Sequence, residues 1–334
     1  MAKFSIVLPV HNGGKYVKDC VSSILSQTIS DFNLEVLDNC STDGTLQWLM
    51  SLNDPRVRLY PSEKALSIEE NWGRIVTIPK NEFMTFIGHD DLLDKDYLSV
   101  MIQLIQKHPL AGFYQVHFRY IDATGNKVRS CKPMDEVQSA SEFLAFFLSS
   151  MSELSIGQAI RSSDYDQIGG IPPYPNLLFA DFELWMRLLQ KGYRATSSEE
   201  CCSYRIHPGS TTNSSSIIKY YHSVMKLLDF FILMKSGDKA FGEIFEKYGL
   251  GFLKLYGQSI AHHLLRVPKN KRDGITVTGF IDKYKHAIDQ LIPNNEYNPE
   301  KIYNIRLAKQ IDKNFALRES FLILKRIYKT PVLR

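Results

Sequence analysis

FMTFIGHDD, residues 83–91, is the stretch on which the reading of this chain turns. Five mostly apolar residues end in a glycine, a histidine and two adjacent carboxylates. A short apolar run bounded by turn residues reads as a buried strand. Burying unpaired charge is costly, so Asp90 and Asp91 are expected where the strand emerges, at its carboxyl end. Open α/β sheets bind ligands at that edge. Two acidic groups there suit a hard divalent cation that also holds phosphates. A plainer reading makes Asp90, Asp91 and Asp94 caps for a helical pattern starting near Lys95, because Asp is a favoured N-cap.

Strand and helix patterns alternate on both sides of this stretch. Phe4–Val10 is an apolar run ending at the turn HNGG, and Tyr16–Gln27 follows with apolar residues at helical spacing. Leu34–Leu37 is a second strand, Thr42–Leu52 a second helix and Val57–Tyr60 a third strand. Ile68–Ile78 reads as a helix stopped by Pro79, FMTFI as the fourth strand, and Tyr97–Lys107 as a helix. Such alternation with short links predicts an α/β fold, a mostly parallel sheet flanked by helices. Further on, Gly112–Tyr120 alternates like a strand, and Asp122–Gly125 is a turn. Ser139–Leu148 is a helix opened by the capping box Ser139/Glu142, and Asp181–Lys191 is a helix closed by Gly192. Ser210–Ser216 is polar and of low complexity, the mark of a mobile loop or a domain boundary. Helical patterns dominate from Ile217, so residues 1–215 and 216–334 are expected to form separate regions.

The bulk numbers exclude several classes. With 334 residues, 44% hydrophobic and 23% charged, the chain has the composition of a soluble globular protein rather than a disordered one. A net charge of +4 is too small to point to nucleic acid. The charge is uneven: residues 301–334 hold nine Lys or Arg and two acids, a net +7 that leaves −3 for the rest. Five cysteines without zinc spacing read as reduced thiols of a cytoplasmic protein. The amino terminus lacks a signal-peptide pattern, and no run of about 18 apolar residues spans a bilayer.

At this point the residues resemble a known family. SIVLPVHNGGKYVKDCVSSILSQT (5–28), LEVLDNCSTDGT (34–45), FIGHDD (86–91), FADFELWMRLLQKGY (179–193) and YRIHPGSTTNSS (204–215) are together similar to family 2 glycosyltransferases of the GT-A fold, the kind that builds bacterial surface polysaccharides. The resemblance covers roughly residues 3–215. It implies transfer of a sugar from a nucleotide diphosphate, with UDP the expected nucleotide, to an acceptor hydroxyl on a glycan or lipid-linked glycan, with inversion at the anomeric carbon. Mg²⁺ or Mn²⁺ is the implied cofactor. By resemblance Asp91 is a metal ligand and Asp90 a partner of the metal or the ribose, Pro9, His11, Asn12, Asp38, Asn39 and Asn71 wall the nucleotide site, and Arg205 and His207 sit on a loop over the donor. Asp181 stands at the position of the catalytic base. Glu70 stands where the family carries an arginine, so Lys64 or Arg74 is the candidate phosphate-side cation. Glu183 is expected to be solvated, and Trp185 to be core or an acceptor wall. Two rivals remain: a sugar nucleotidyltransferase, and a non-catalytic binder of nucleotide sugars or glycans. Near the carboxyl end Leu317, Phe321, Leu322, Leu324 and Ile327 interleave with Arg318, Lys325, Arg326 and Lys329. Such a helix suits an anionic membrane surface at the inner face of the cell membrane, a packed helix with a solvated basic side, or a homo-oligomer contact.

Overall fold

A computed structural model describes residues 4–150, 156–207 and 216–327. The chain divides into two compact units, Met1–Phe143 with Glu153–Ser214, and Leu144–Ser152 with Ser215–Arg334.

The first unit runs β1 (Phe4–Val10), α1 (Gly14–Leu25), β2 (Phe32–Asp38), α2 (Thr45–Met50), β3 (Val57–Leu59) and α3 (Ile68–Gly73). A 3₁₀ turn, Arg74–Thr77, extends α3, and then come β4 (Phe83–Phe86), β5 (Leu92–Leu93), α4 (Tyr97–Lys107), β6 (Phe113–Ile121), β7 (Lys127–Ser130) and β8 (Val137–Gln138). Helix α5 (Ala140–Ser150) is divided between the two units. Strand β9 (Gln158–Arg161), α6 (Ser162–Gln167), α7 (Ala180–Leu189) and β10 (Arg194–Arg205) complete the unit.

The sheet order is β3-β2-β1-β4-β9-β6-β10-β5, with β7 on β6 and β8 on β10. Strands β1 to β4 pair in parallel, as do β6 and β10, while β9 runs antiparallel between β4 and β6. Every residue of β1 is buried, which a central strand covered on both faces requires. In these registers Val10 pairs with Asp38, and Arg205 with Ile121. The carboxyl ends of β1, β2, β4, β6 and β10 therefore open on one edge, and each is followed by a polar turn. Behind that edge Trp185 of α7 stacks on Phe86 (5.8 Å) and Phe113 (4.8 Å). Trp185 is thus core.

The cap reading of the acid run does not hold. Helix α4 begins at Tyr97 with no side-chain cap, and Asp94 instead accepts a hydrogen bond from Arg119 at 2.9 Å. Asp90 and Asp91 lie in a tight turn, closed by the Asp91 N–H on the Gly88 carbonyl at 3.1 Å, before the short strand β5.

In the second unit the described residues are helical: α8 (Ile217–Gly237), α9 (Lys239–Ile244), a π turn at Phe245–Gly249, α10 (Leu250–Leu264), α11 (Val277–Leu291), α12 (Tyr303–Lys313) and α13 (Phe315–Ile327). Phe231 packs on Phe245 (5.0 Å), and Phe280 on Tyr284 (5.1 Å). Gly257 lets α10 approach α11, since a Cβ there would stand 2.8 Å from the Tyr284 ring. Buried Arg272 pairs with buried Asp312 at 2.6 Å, and Asp312 also accepts the Val277 N–H at 2.9 Å. Among the described residues no helix is long and apolar enough to cross a membrane.

Candidate active site

The acid turn after β4 is held from the end of β10. Arg205 donates its backbone N–H to Asp91 Oδ1 (2.9 Å) and its Nε–H to the Asp90 carbonyl (2.8 Å). Its Nη1 reaches the carbonyls of Asp122 (3.3 Å) and Ala123 (3.5 Å), and its guanidinium lies 4.7 Å over the Tyr16 ring. Arg205 thus ties three strand ends and the start of α1 together. Two residues on, His207 Nε2 stands 2.7 Å from Asp90 Oδ2, its ring 5.2 Å from Tyr16. A carboxylate only accepts, so the imidazole donates here. Asp90 Oδ1 and Asp91 Oδ2 converge beside Gly88, where a Cβ would stand 2.8 and 3.1 Å from them. Burial first, and the neighbouring Asp90 second, push the Asp91 carboxyl well above the ordinary range. Burial lowers the His89 imidazole, which is half-buried rather than at the solvent edge.

These donors fit a divalent cation of one kind. Among the described residues no cluster of three or more histidine, cysteine or acidic groups holds a metal by protein ligands alone. One or two carboxylates that leave the rest of the shell to substrate phosphates are what Mg²⁺ and Mn²⁺ accept. The converging oxygens of Asp90 and Asp91 are the pair that could serve in this way.

A second cluster lies after β1 and β2. His11 donates from Nδ1 to the Asn39 carbonyl (2.7 Å), and its Nε2 accepts from Asn12 Nδ2 (3.1 Å), which fixes the exposed ring. Asn12 has left-handed backbone (φ 50°) and accepts the Thr42 N–H at 2.8 Å, so it joins the two turns. Pro9 is buried inside β1, opposite Leu37. Asp38 is fully buried: Oδ2 accepts the Ser41 N–H at 3.1 Å, and Oδ1 has no hydrogen-bond partner. The Asn39 amide is engaged through both functions with Leu66, donating to its carbonyl (2.9 Å) and accepting from its N–H (2.8 Å). Asn71 donates to the Leu37 carbonyl (3.3 Å) and accepts from Arg74 (2.9 Å).

Arg74 also reaches the carbonyls of Asp38 (3.1 Å) and Tyr60 (2.5 Å), so its guanidinium braces the chain just after β2 and β3. Glu70 sits where the family has arginine for a local reason. It accepts the Ser67 N–H (2.7 Å) while Ser67 Oγ accepts the Glu70 N–H (3.2 Å), a capping box that starts α3.

Asp181 opens α7 and touches neither cluster. It is half-buried, accepts the Phe182 N–H at 2.8 Å and has no ion-pair partner among the described residues. Desolvation raises its carboxyl to about 6. The residues before it are strained: Asn176 (φ 55°), Leu177 (φ 55°) and Phe179 (φ 68°) are all left-handed. Glu69 of α3 accepts the Asn176 N–H at 2.6 Å, which anchors this strap to α3. Glu183 is not solvated but buried, accepting from Tyr174 Oη (2.6 Å) and from Arg187. The sequence reading assigns no site role to Tyr16, Glu69 or the turn it places at Asp122–Gly125. Only the turn left a signal, its Asp-Ala-Thr-Gly pattern, and there backbone and side-chain donors of Thr124 and Asn126 draw Asp122 down to about 2. Residues 208–215, the rest of the loop after His207, lie outside the described residues.

Comparisons with known proteins agree on the family. Residues 5–164 match the model of glycosyl transferase family 2. The chain is 28% identical over 211 residues to a protein of Bacillus subtilis (strain 168) named as a teichuronic acid biosynthesis glycosyltransferase, TuaG, covering 60% of this chain and 78% of that one. Over a shorter stretch it is 27% identical to glycosyltransferase GlyG of Streptococcus pneumoniae serotype 4 (124 residues, 36% of this chain and 41% of that one). S. aureus TarS 1-349 in complex with UDP-GlcNAc superposes with a TM-score of 0.62 at 16% identity, covering 92% of this chain and 90% of that one. Mannosyltransferase PcManGT from Pyrobaculum calidifontis, in complex with GDP-Man and Mn²⁺, gives 0.52 at 13% identity, with 98% and 88% covered. Matched domain and named relatives converge: residues 5–164 carry a glycosyl transferase family 2 domain, and the fold is that of TarS.

Proposed function

We propose that this glycosyltransferase is an inverting, divalent-metal-dependent enzyme. It moves a sugar from a UDP-sugar to a hydroxyl of a cell-surface glycan or lipid-linked glycan, and works in the cytoplasm at the inner face of the membrane. The observation that carries the chemistry is Asp181, half-buried, without an ion-pair partner among the described residues and with a carboxyl raised to about 6. An acceptor hydroxyl is a weak nucleophile near neutral pH, and a carboxylate tuned toward the working pH removes its proton as attack proceeds. The acceptor oxygen bonds to the anomeric carbon as the bond to the diphosphate breaks, and the proton passes to Asp181. One displacement inverts the centre.

The other residues bind and orient. His11 offers its exposed ring to the base, beside Asn39 and the wall made by Asp38, Asn71 and Arg74. Asp90, Asp91 and His207 would hold Mg²⁺ or Mn²⁺, and Arg205 fixes their turn. A bound cation supplies charge neutralisation for the departing diphosphate. The reading is supported by the UDP-GlcNAc complex of TarS, the Mn²⁺ complex of PcManGT and the surface-polymer context in TuaG's name.

A panel of nucleotide sugars, screened by thermal shift with Mn²⁺ and with a chelator, tests it, since a ligand that binds the native form raises the midpoint. UDP-sugars should shift the midpoint only with metal, and turnover should release UDP. Release of pyrophosphate would make the protein a nucleotidyltransferase instead. Donor binding without any turnover, across acceptors, would make it a binder.

A further inference from the structure

Helix α13 is oriented in reverse. At helical spacing Ala316, Leu317, Ser320, Ile323 and Leu324 share one face, and that face is open: Leu317 is 50% exposed, Ile323 56% and Leu324 54%. The packed side carries the charge. Arg318 is 6% exposed and donates to the Val267 carbonyl at 3.4 Å, Lys325 is half-buried, and Phe321 meets His262 at 5.8 Å. A helix that merely covered a core would turn its apolar stripe inward. Helix α12, which packs with α13, also exposes Tyr303, Leu307, Arg306 and Lys313.

The nearby acids do not offset the positive charge. Asp312 is buried against Arg272, and Glu319 lies 3.9 Å from Arg318. Beyond α12 the sequence adds Lys325, Arg326, Lys329 and Arg334, with Glu319 its sole acid. A second copy of the chain would bring the same cations together around the contact, whereas an anionic bilayer neutralises them and takes up the uncharged face. We propose that the open face of α13, together with exposed Arg306 and Lys313 of α12, docks on an anionic lipid surface, with Leu317, Ile323 and Leu324 entering the headgroup–acyl boundary. The inference rests on the reading above only in its choice of a bilayer, and vesicle binding is read without turnover, so either can fail alone.

The test is co-sedimentation of the full chain with vesicles of equal parts phosphatidylcholine and phosphatidylglycerol, and with phosphatidylcholine alone. Binding should require the anionic lipid and weaken in high salt. Replacing all three residues (Leu317→Ser, Ile323→Ser, Leu324→Ser) should lower the partition coefficient by about a hundredfold. The variant's thermal midpoint and its donor-induced shift should stay at wild-type values, which shows that the fold survives. Equal binding by the triple variant, or no binding to anionic vesicles, overturns the proposal. So does a concentration-dependent dimer that the triple variant abolishes while neither protein binds vesicles, because a second copy then covers the face.

Discussion

Replacing Asp181 by Asn should slow the enzyme and stabilise it at the same time. The carboxyl stands at about 6 in the folded protein, against about 3.9 in an unfolded chain. The folded-state value is raised, so between these two pH values the native state binds more protons than the unfolded one. Stability is therefore lost as pH rises from about 4 to 6, and the loss is complete above that. Taken at face value the gap is worth about 3 kcal/mol. The side chain still touches solvent, so screening leaves about 1–2 kcal/mol as the working figure. Asp181→Asn removes that penalty and should raise the unfolding free energy at pH 7.5 while changing little at pH 4. It also removes the proton acceptor, for which general-base catalysis is worth about 10²–10⁴ in kcat. In the wild type, kcat should climb with pH through about 6 and then level off, as the carboxylate form becomes dominant. The assays are UDP release across pH 5 to 8 and urea unfolding of both proteins at pH 4 and pH 7.5. A variant with near-normal kcat, or a wild-type profile flat through pH 6, refutes the base assignment. Equal stability of the two proteins at pH 7.5 refutes the burial argument independently.

Three further perturbations probe other parts. Gly88→Ala puts a methyl 2.8 Å from Asp90 Oδ1 and 3.1 Å from Asp91 Oδ2; displaced by that much, the acid turn should lose about a hundredfold in kcat/KM with little change in thermal midpoint, read by steady-state kinetics and calorimetry. Glu69→Ala removes the acceptor of the Asn176 N–H, and kcat should fall about tenfold while the donor KM holds, a split that initial-rate measurements resolve. Asp312→Ala strands buried Arg272 and the Val277 N–H and should cost about 3–5 kcal/mol. Far-UV circular dichroism in urea follows it, because Trp48, Trp72 and Trp185 all lie in the first unit.

How much of this was legible depended on whether the determining contact is local. Strands β1, β2 and β4 show in the sequence because each is an apolar run with a polar stop, and the capping box of α5 shows because both its members lie within four residues. The longest strand, β10, gave no pattern. Its residues RATSSEECCSYR are mostly polar, and its register against β6 shifts twice between Ser197 and Cys202, so alternation is lost. Strand β9, which makes the sheet mixed, covers four residues and is defined only by its neighbours. At the site, strand ends and turns could be read, but partners far along the chain could not. Glu183 looks solvated until Tyr174 and Arg187 are brought to it, and Arg74 looks like a free cation until Tyr60, Asp38 and Asn71 close around it. Asp91 reads as an open ligand, yet one oxygen is already taken by an amide 114 residues away.

If Asn39 reads the base as proposed, its pairing with Leu66 has a consequence for how nucleotide preference changes over evolution. Both halves of the amide are matched to main-chain groups, as one base edge is matched to another. Exchanging Asn39 for Asp would set a carboxylate against the Leu66 carbonyl. A shift in preference at this position therefore takes two coordinated steps, one in the side chain and one in the path of the loop that carries Leu66. A lineage making only the first would pass through a less stable intermediate.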